Sequence, residues 1–142
     1  MRKFIKFIPV ILGAIVILSS CAAITDAKKV SDQFMEAWKT KNYEAAVALV
    51  SEEGLAATPE EGWIEVFEQD FENHGEIKDY SSGNINASTN DGVTTTKIHY
   101  TVNYAEETFY VLVTLIKHSE EDPFTVLGFR LNKSESALDF DF

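Results

Sequence analysis

The sequence predicts an α+β domain in which three N-terminal helices pack on a bent four-stranded antiparallel sheet. Up to Gly75 the apolar residues recur at helical spacing, and after Gly75 they alternate as in strands. Asn90-Asp91-Gly92 is a strong hairpin signal, so the strands on either side of it should pair antiparallel. Because the helices can bury their apolar stripes only against one sheet face, we expect the sheet to wrap around the longest helix.

The first two helices are predicted from short amphipathic stretches. The first begins at Ala27, and its apolar residues at helical spacing are Val30, Phe34, Ala37 and Trp38. Thr40-Lys41-Asn42 interrupts the pattern, and Asn42 suits the capping position of a second helix. That helix would bury four apolar residues, which are Tyr43, Ala46, Val47 and Val50.

The third helix has the clearest start in the sequence. Thr58-Pro59-Glu60-Glu61 supplies a capping Thr, a Pro at the first helical position and a Glu at the third. An aromatic stripe then repeats every four residues at Trp63, Phe67 and Phe71. Asn73-His74-Gly75 ends the helix, since Gly75 can adopt positive φ.

Four strands follow the helices. The first covers 77–89, with a bend or bulge at Ser81-Ser82-Gly83, and the second carries Ile98, Tyr100, Val102 and Tyr104 on one face. The third, 109–116, is apolar on both faces, which indicates a central strand covered on both sides. The fourth covers 124–131. The remaining tail to Phe142 either adds a strand edge or frays.

The amino terminus has the features of a signal peptide. Three positive charges, on Arg2, Lys3 and Lys6, precede a run of twelve uncharged residues from Phe7 to Leu18. A spanning helix needs about 20 apolar residues, so this run is short for a permanent anchor. The sequence therefore predicts export of the chain, with residues 1–20 as its signal.

Leu18-Ser19-Ser20-Cys21 resembles the lipobox of bacterial lipoproteins, in which an aliphatic and two small residues precede a cysteine. The resemblance implies that a diacylglycerol joins the Cys21 sulfur and that cleavage occurs before Cys21. The alternative is an uncleaved signal anchor. We accordingly expect a lipid-anchored extracytoplasmic protein at the cell membrane or outer membrane, with residues 21–26 as a tether, 27–133 as the domain and 134–142 as an acidic tail.

Composition limits the function of this domain. Removal of residues 1–20 from the 142 leaves 122, enough for one domain, and lowers the formal charge from −11 to −14. Such an acidic surface repels phosphate backbones, which argues against a nucleic-acid partner. Three histidines without a close pair and one cysteine are a poor metal-ligand set. The sequence also has no Gly-rich phosphate loop, so we predict no cofactor or metal.

Residues 26–133 resemble the cystatin-like α+β roll of the nuclear-transport-factor-type superfamily. The resemblance rests on the element order, on Trp38 followed by Asn42-Tyr43-Glu44-Ala45-Ala46, and on His74-Gly75-Glu76-Ile77. It implies a cone-shaped space between sheet and helix, where the enzymes of that superfamily carry a Tyr or a His–Asp set. The superfamily also contains non-catalytic binding domains. No catalytic set aligns here residue by residue, so no catalytic residue is assigned.

Four aromatic residues are candidates for lining that space, namely Trp63, Phe67, Tyr100 and Tyr110. They are interpreted either as ordinary core packing or as the wall of an apolar pocket with convergent tyrosine hydroxyls. Asp70 and His74, four residues apart, form either a solvated surface pair or an acid–base pair. His99 is predicted on the polar strand face, and His118 at the surface.

Three functional hypotheses follow from these observations. The first is a non-enzymatic envelope module that binds a small apolar ligand or a protein partner, the partner using the outer sheet face with Lys97, His99 and Thr101. The second is a small isomerase- or hydrolase-type enzyme with Tyr100 or Asp70 in the cone. The third is a structural surface protein whose acidic exterior alone matters.

Overall fold

The computed structural model describes residues 23–138, in which four α-helices precede one sheet. Residues 1–22 and 139–142 lie outside the described part, and with them the predicted signal segment and Cys21. None of the helices within 23–138 combines the length and apolar composition needed to cross a membrane. The elements are α1 (23–39), α2 (Tyr43–Val47), α3 (Glu52–Ala57), α4 (Glu60–His74), β1 (Ile77–Asn90), β2 (Val93–Tyr104), β3 (Thr108–Lys117), β4 (Thr125–Asn132) and a 3-10 turn (Glu135–Ala137).

The α+β class is confirmed, but the prediction of three helices is wrong because α3 is a separate helix. Ser51 precedes α3, and its hydroxyl accepts a 3.0 Å hydrogen bond from the backbone N–H of Gly54. Thr58 ends α3 in an extended conformation, so it does not cap α4 as predicted. Pro59 occupies the position before α4 instead, and Gly75 ends α4 with a φ of 79°.

The sheet is a four-stranded antiparallel meander in the order β1-β2-β3-β4, as predicted. Asp91 and Gly92 form the turn between β1 and β2 with φ values of 52° and 81°. This positive pair belongs to the turn type that matches the twist of a hairpin. The predicted irregularity in β1 is confirmed, since the pairing with β2 shifts between Ser82 and Ile85.

The core lies between the helices and the inner sheet face. Its strand residues alternate along β2 and β3, and they include Ile98, Tyr100, Val102, Val111, Val113 and Leu115. β4 is joined to the helices at its outer edge, where Val126 accepts a hydrogen bond from Ser51 N–H and donates one to the Leu49 carbonyl, both 2.8 Å long. The sheet is therefore tied to the helical layer at β4, whereas β1 lies at the opposite edge.

The outer sheet face is partly covered by the chain that follows β4. Leu138 is buried, and its carbonyl oxygen lies 2.7 Å from Nε2 of His99. Leu112, the cross-strand neighbour of His99, is also buried. This agrees with the prediction that the third strand is covered on both faces. As far as Leu138, the tail neither frays nor adds a strand.

Candidate functional site

The predicted cone is occupied by aromatic side chains. Phe67 of α4 is fully buried, stacks on Phe129 of β4 at 5.8 Å between ring centroids, and meets Trp38 of α1 at 5.4 Å. Phe34 lies 6.3 Å from Trp63 and 5.9 Å from Phe129. These rings fill the space between the helices and the sheet, so Trp63 and Phe67 belong to the packed core.

Tyr100 also lies on the inner side of the sheet, where its hydroxyl is held by α1. The hydroxyl donates to Asp32 Oδ1 at 2.7 Å and lies 2.8 Å from Ser31 Oγ. Burial raises the pKa of the Tyr100 hydroxyl, and its hydrogen bond to Asp32 raises it further. The side chain therefore stays neutral and links β2 to α1, with its polar atom already partnered.

Tyr110 does not join the other three candidates, and the prediction of a common space is wrong for this residue. It stands opposite Thr101 in the β2–β3 pairing. Directly opposed residues share a face, so Tyr110 lies on the outer side with Thr101, whereas the neighbouring Tyr100 points inward. Trp63, Phe67 and Tyr100 are together in one core without it.

Asp70 is the buried carboxylate of the interior, so its interpretation as half of a surface pair is wrong. Its side chain is 8% exposed, and Oδ2 accepts a 2.7 Å hydrogen bond from the Tyr104 hydroxyl. Burial raises the pKa of Asp70, although the hydrogen bond from Tyr104, the nearby His74 and the Trp38 side chain act in the opposite direction. The other oxygen, Oδ1, has no hydrogen-bond partner among the described residues.

A small cavity of about 10 Å³ lies beside this carboxylate, between Trp38, Tyr43, Phe71 and Ile77. A void of that size is at the lower limit for one water molecule. His74 does not pair with Asp70, because its Nδ1 lies 3.3 Å from Glu107 Oε2. An acid–base pair of Asp70 and His74 is therefore not formed in this arrangement.

The other histidines lie where the sequence placed them. His99 is on the outer sheet face beside the buried Leu138, so the part of that face at His99, which the partner hypothesis expected to be available, is covered. His118 is exposed, and its Nε2 lies 2.7 Å from Oε1 of Glu53. Within residues 23–138, no three His, Cys, Asp or Glu side chains are grouped so that they would hold a metal ion.

A larger open groove runs along α1 next to β1, and the sequence analysis did not identify it. Its volume is about 580 Å³, and its walls include Lys28, Lys29, Asp32, Gln33 and Glu36 of α1 and Tyr80 of β1. The Tyr80 hydroxyl donates a 3.0 Å hydrogen bond to Glu36 Oε2. Burial and Glu36 together raise the pKa of Tyr80 to about 12. The available signal was the spacing of Lys28, Asp32 and Glu36, four residues apart on one helix face.

The comparisons with known proteins bear on the fold alone. No family model matches the sequence, and no curated protein is similar to it. Among solved structures, Bd1075 of Bdellovibrio bacteriovorus is similar, with a TM-score of 0.55 and 12% sequence identity. The similarity covers 76% of this chain, and the chain spans 39% of the length of that protein.

Proposed function

We propose that the protein is a lipid-anchored extracytoplasmic lipoprotein whose domain is a cystatin-like roll that binds a protein partner without catalysis. The anchor rests on the sequence Leu18-Ser19-Ser20-Cys21 and the charged, then apolar, segment before it. Two acyl chains give a durable attachment, because each buried CH₂ contributes about 0.8 kcal/mol. Attached at Cys21, the domain would lie near the membrane surface.

The observation that carries the binding proposal is the packed interior. Phe67 is fully buried among Phe34, Trp38 and Phe129, in the space between helices and sheet that the resemblance to the roll superfamily would assign to a substrate. Sites for small ligands are typically concave cavities of about 300–1,000 Å³, and the cavity beside Asp70 has about 10 Å³. An apolar ligand in the cone is disfavoured for the same reason. The groove of about 580 Å³ along α1 is open to the exterior, so recognition at the exterior is the remaining route.

The proposal is tested on the full chain in its own membranes. The membranes are cross-linked before mild extraction, and the chain is then isolated and assayed for turnover of ester and peptide substrates. We expect one protein partner at a constant ratio to the chain in independent preparations, and no turnover. Isolation of the chain without a protein partner but with a tightly bound small molecule would contradict the proposal.

A second candidate is an isomerase- or hydrolase-type enzyme that uses Asp70. It is favoured by the buried carboxylate with its raised pKa and by the Tyr104 hydroxyl at 2.7 Å. A substrate would have to displace aromatic side chains to reach it. The Asp70→Asn variant decides the matter, since an enzyme would lose its turnover and a binding module would keep its partner.

A further inference from the structure

The edge strand β1 is suited to accept an added strand. Within residues 23–138 it pairs with β2 alone, and its other edge lies at the end of the sheet. Native proteins commonly protect such edges with Lys, other charges or Pro. From Tyr80 to Asn90 the strand has none of these in eleven residues. The register irregularity ends at Ile85, so the stretch 85–90 is a regular and uncharged edge.

The register identifies which backbone groups are available at this edge. Asn90 and Val93 flank the two-residue turn, so they form the hydrogen-bonded pair that closes the hairpin. Hydrogen-bonded and non-hydrogen-bonded pairs alternate in an antiparallel ladder. Counting back from Asn90, the non-hydrogen-bonded positions of β1 are Thr89, Ala87 and Ile85. These three residues therefore direct their N–H and C=O groups away from β2. These are the groups that an added strand would use.

The groove along α1 lies beside this edge. From Lys28 to Glu36 the helix rises about 12 Å, the length of roughly four strand residues. Tyr80, which is bonded to Glu36, is the β1 residue that lines the groove, and it precedes Ile85 by five positions along the same strand. A strand added along β1 from Thr89 back to Tyr80 would thus reach the groove walled by α1 at its Tyr80 end. Main-chain bonds give affinity in this mode of recognition, and the side-chain wall gives specificity.

Charge indicates the chemistry of the occupant. The chain without residues 1–20 has a formal charge of −14, so long-range attraction favours a basic segment. Inside the groove, Glu36 is exposed and is held by the Tyr80 hydroxyl. A Lys or Arg placed there would pair with the Glu36 carboxylate. The groove cations Lys28 and Lys29 lie further toward the amino end of α1, and Lys28 is already paired with Asp32 at 2.6 Å.

We propose that the cleft between α1 and β1 binds an extended, basic segment of a partner protein, which adds as a fifth strand to the edge of β1. This rests on the proposed partner-binding function and names the site and the partner's chemistry. The segment bonds to the main chain of Ile85, Ala87 and Thr89, and its basic side chain pairs with Glu36.

The test measures hydrogen exchange of the full chain in detergent micelles with a synthetic peptide of alternating Lys and Val residues. We expect the peptide to slow exchange at Ile85, Ala87 and Thr89, and a peptide of alternating Glu and Val to leave it unchanged. Absence of protection in β1 with the Lys-Val peptide would overturn the proposal. So would equal protection by both peptides, since charge would then have no role.

Two variants separate the main-chain and side-chain parts of the site. Ala87→Pro removes an N–H that makes no ladder bond, so the sheet should persist while affinity falls about tenfold. Glu36→Gln should weaken binding of the Lys-Val peptide about three- to fivefold. Glu120→Gln, in the turn between β3 and β4, is the matched control and should bind like the wild type. Equal affinity of Ala87→Pro, Glu36→Gln and Glu120→Gln for the Lys-Val peptide would overturn the proposal.

The same variants keep this inference distinct from the proposed function. If the partner from native membranes is captured equally by wild type, Ala87→Pro and Glu36→Gln, the cleft is not its site and the partner-binding function stands. If the Lys-Val peptide binds in the cleft as expected but no partner exists in the membranes, the proposed function fails.

Discussion

The hydroxyl of Tyr100 donates a 2.7 Å hydrogen bond to Oδ1 of Asp32, and this contact joins the middle of β2 to the middle of α1. Asp32 Oδ2 in turn lies 2.6 Å from Lys28 Nζ. Tyr100 is almost completely buried, whereas the side chain of Asp32 is 37% exposed. The bond therefore connects the core to the wall of the α1 groove.

Loss of this hydroxyl should destabilise the fold. We expect Tyr100→Phe to lower the free energy of unfolding by about 1.5 kcal/mol, because it removes a hydrogen bond to a charged group and leaves Ser31 without this partner. Urea unfolding followed by circular dichroism measures the change. Tyr110→Phe, on the outer sheet face, should differ from wild type by less than about 0.5 kcal/mol. Equal losses of unfolding free energy in the two variants would contradict a stabilising hydrogen bond from the Tyr100 hydroxyl.

Asp70 should make stability depend on pH in the direction opposite to that of a salt-bridged carboxylate. Burial raises its pKa in the folded chain, so the folded chain holds a proton that the unfolded chain releases. The contribution of Asp70 to the free energy of unfolding is therefore fully present below the unfolded pKa of about 3.9, and it is lost as pH rises through the folded pKa.

Replacement of Asp70 by Asn should remove the loss of stability that deprotonation of Asp70 causes as pH rises. We expect Asp70→Asn to have a free energy of unfolding about 1 kcal/mol higher than that of wild type at pH 7. This difference should shrink toward pH 4. Urea titrations across this range provide the measurement, with Glu72→Gln on the exposed side of α4 as control. A difference that is independent of pH would show that the carboxylate is not desolvated.

Because aromatic side chains fill the interior, we expect a ligand cavity to appear there only when one of them is truncated. Phe67→Ala should cost about 3–5 kcal/mol and leave an apolar cavity that binds benzene, whereas the wild type should bind none. Calorimetry with benzene measures this directly. If Phe67→Ala does not fold, Phe67→Leu replaces it. We expect this variant to lose less stability and to bind benzene more weakly. Phe71→Ala, on the partly exposed side of α4, is the control and should bind none. Benzene binding by the wild type would contradict a filled interior.

The tail that follows β4 should contribute to stability through Leu138. This residue is 2% exposed, so Leu138→Ala is expected to lower the free energy of unfolding by about 2 kcal/mol. Exposed Glu135, in the turn before it, provides the control, and Glu135→Ala should have little effect. Thermal unfolding compares the variants. An unchanged melting temperature in Leu138→Ala would mean that the tail is not docked in solution.

The sequence was informative where local pattern decides structure. The strand order follows from the change of period after Gly75 and from the Asn90-Asp91-Gly92 turn. Helix α3 was missed because Gly54, a poor helix former, hides its pattern. Gly54 is required there by tertiary contact, since a Cβ at that position would lie 2.9 Å from the Leu127 carbonyl oxygen. A single sequence does not contain that contact.

The candidate site was harder to predict because it depends on pairing between strands. The face of Tyr110 is set by its register opposite Thr101, and the docking of Leu138 is set by the fold of the outer face. The groove beside Tyr80 arises from the packing of α1 against an edge strand. In the sequence alone, residues 28, 32 and 36 have the spacing of an ordinary solvated helix face, and the position of β1 beside them is set by tertiary packing.

The most direct test of the central claim, a lipid-anchored module that binds a partner, is the native mass of the full chain gently extracted from its own membranes. The account predicts a polypeptide that begins at Cys21, carries acyl chains and is bound to a protein partner. A chain that still begins at residue 1 and carries no lipid would contradict the anchor. A lipidated chain that is monomeric, with a small molecule in place of a protein partner, would contradict the binding function.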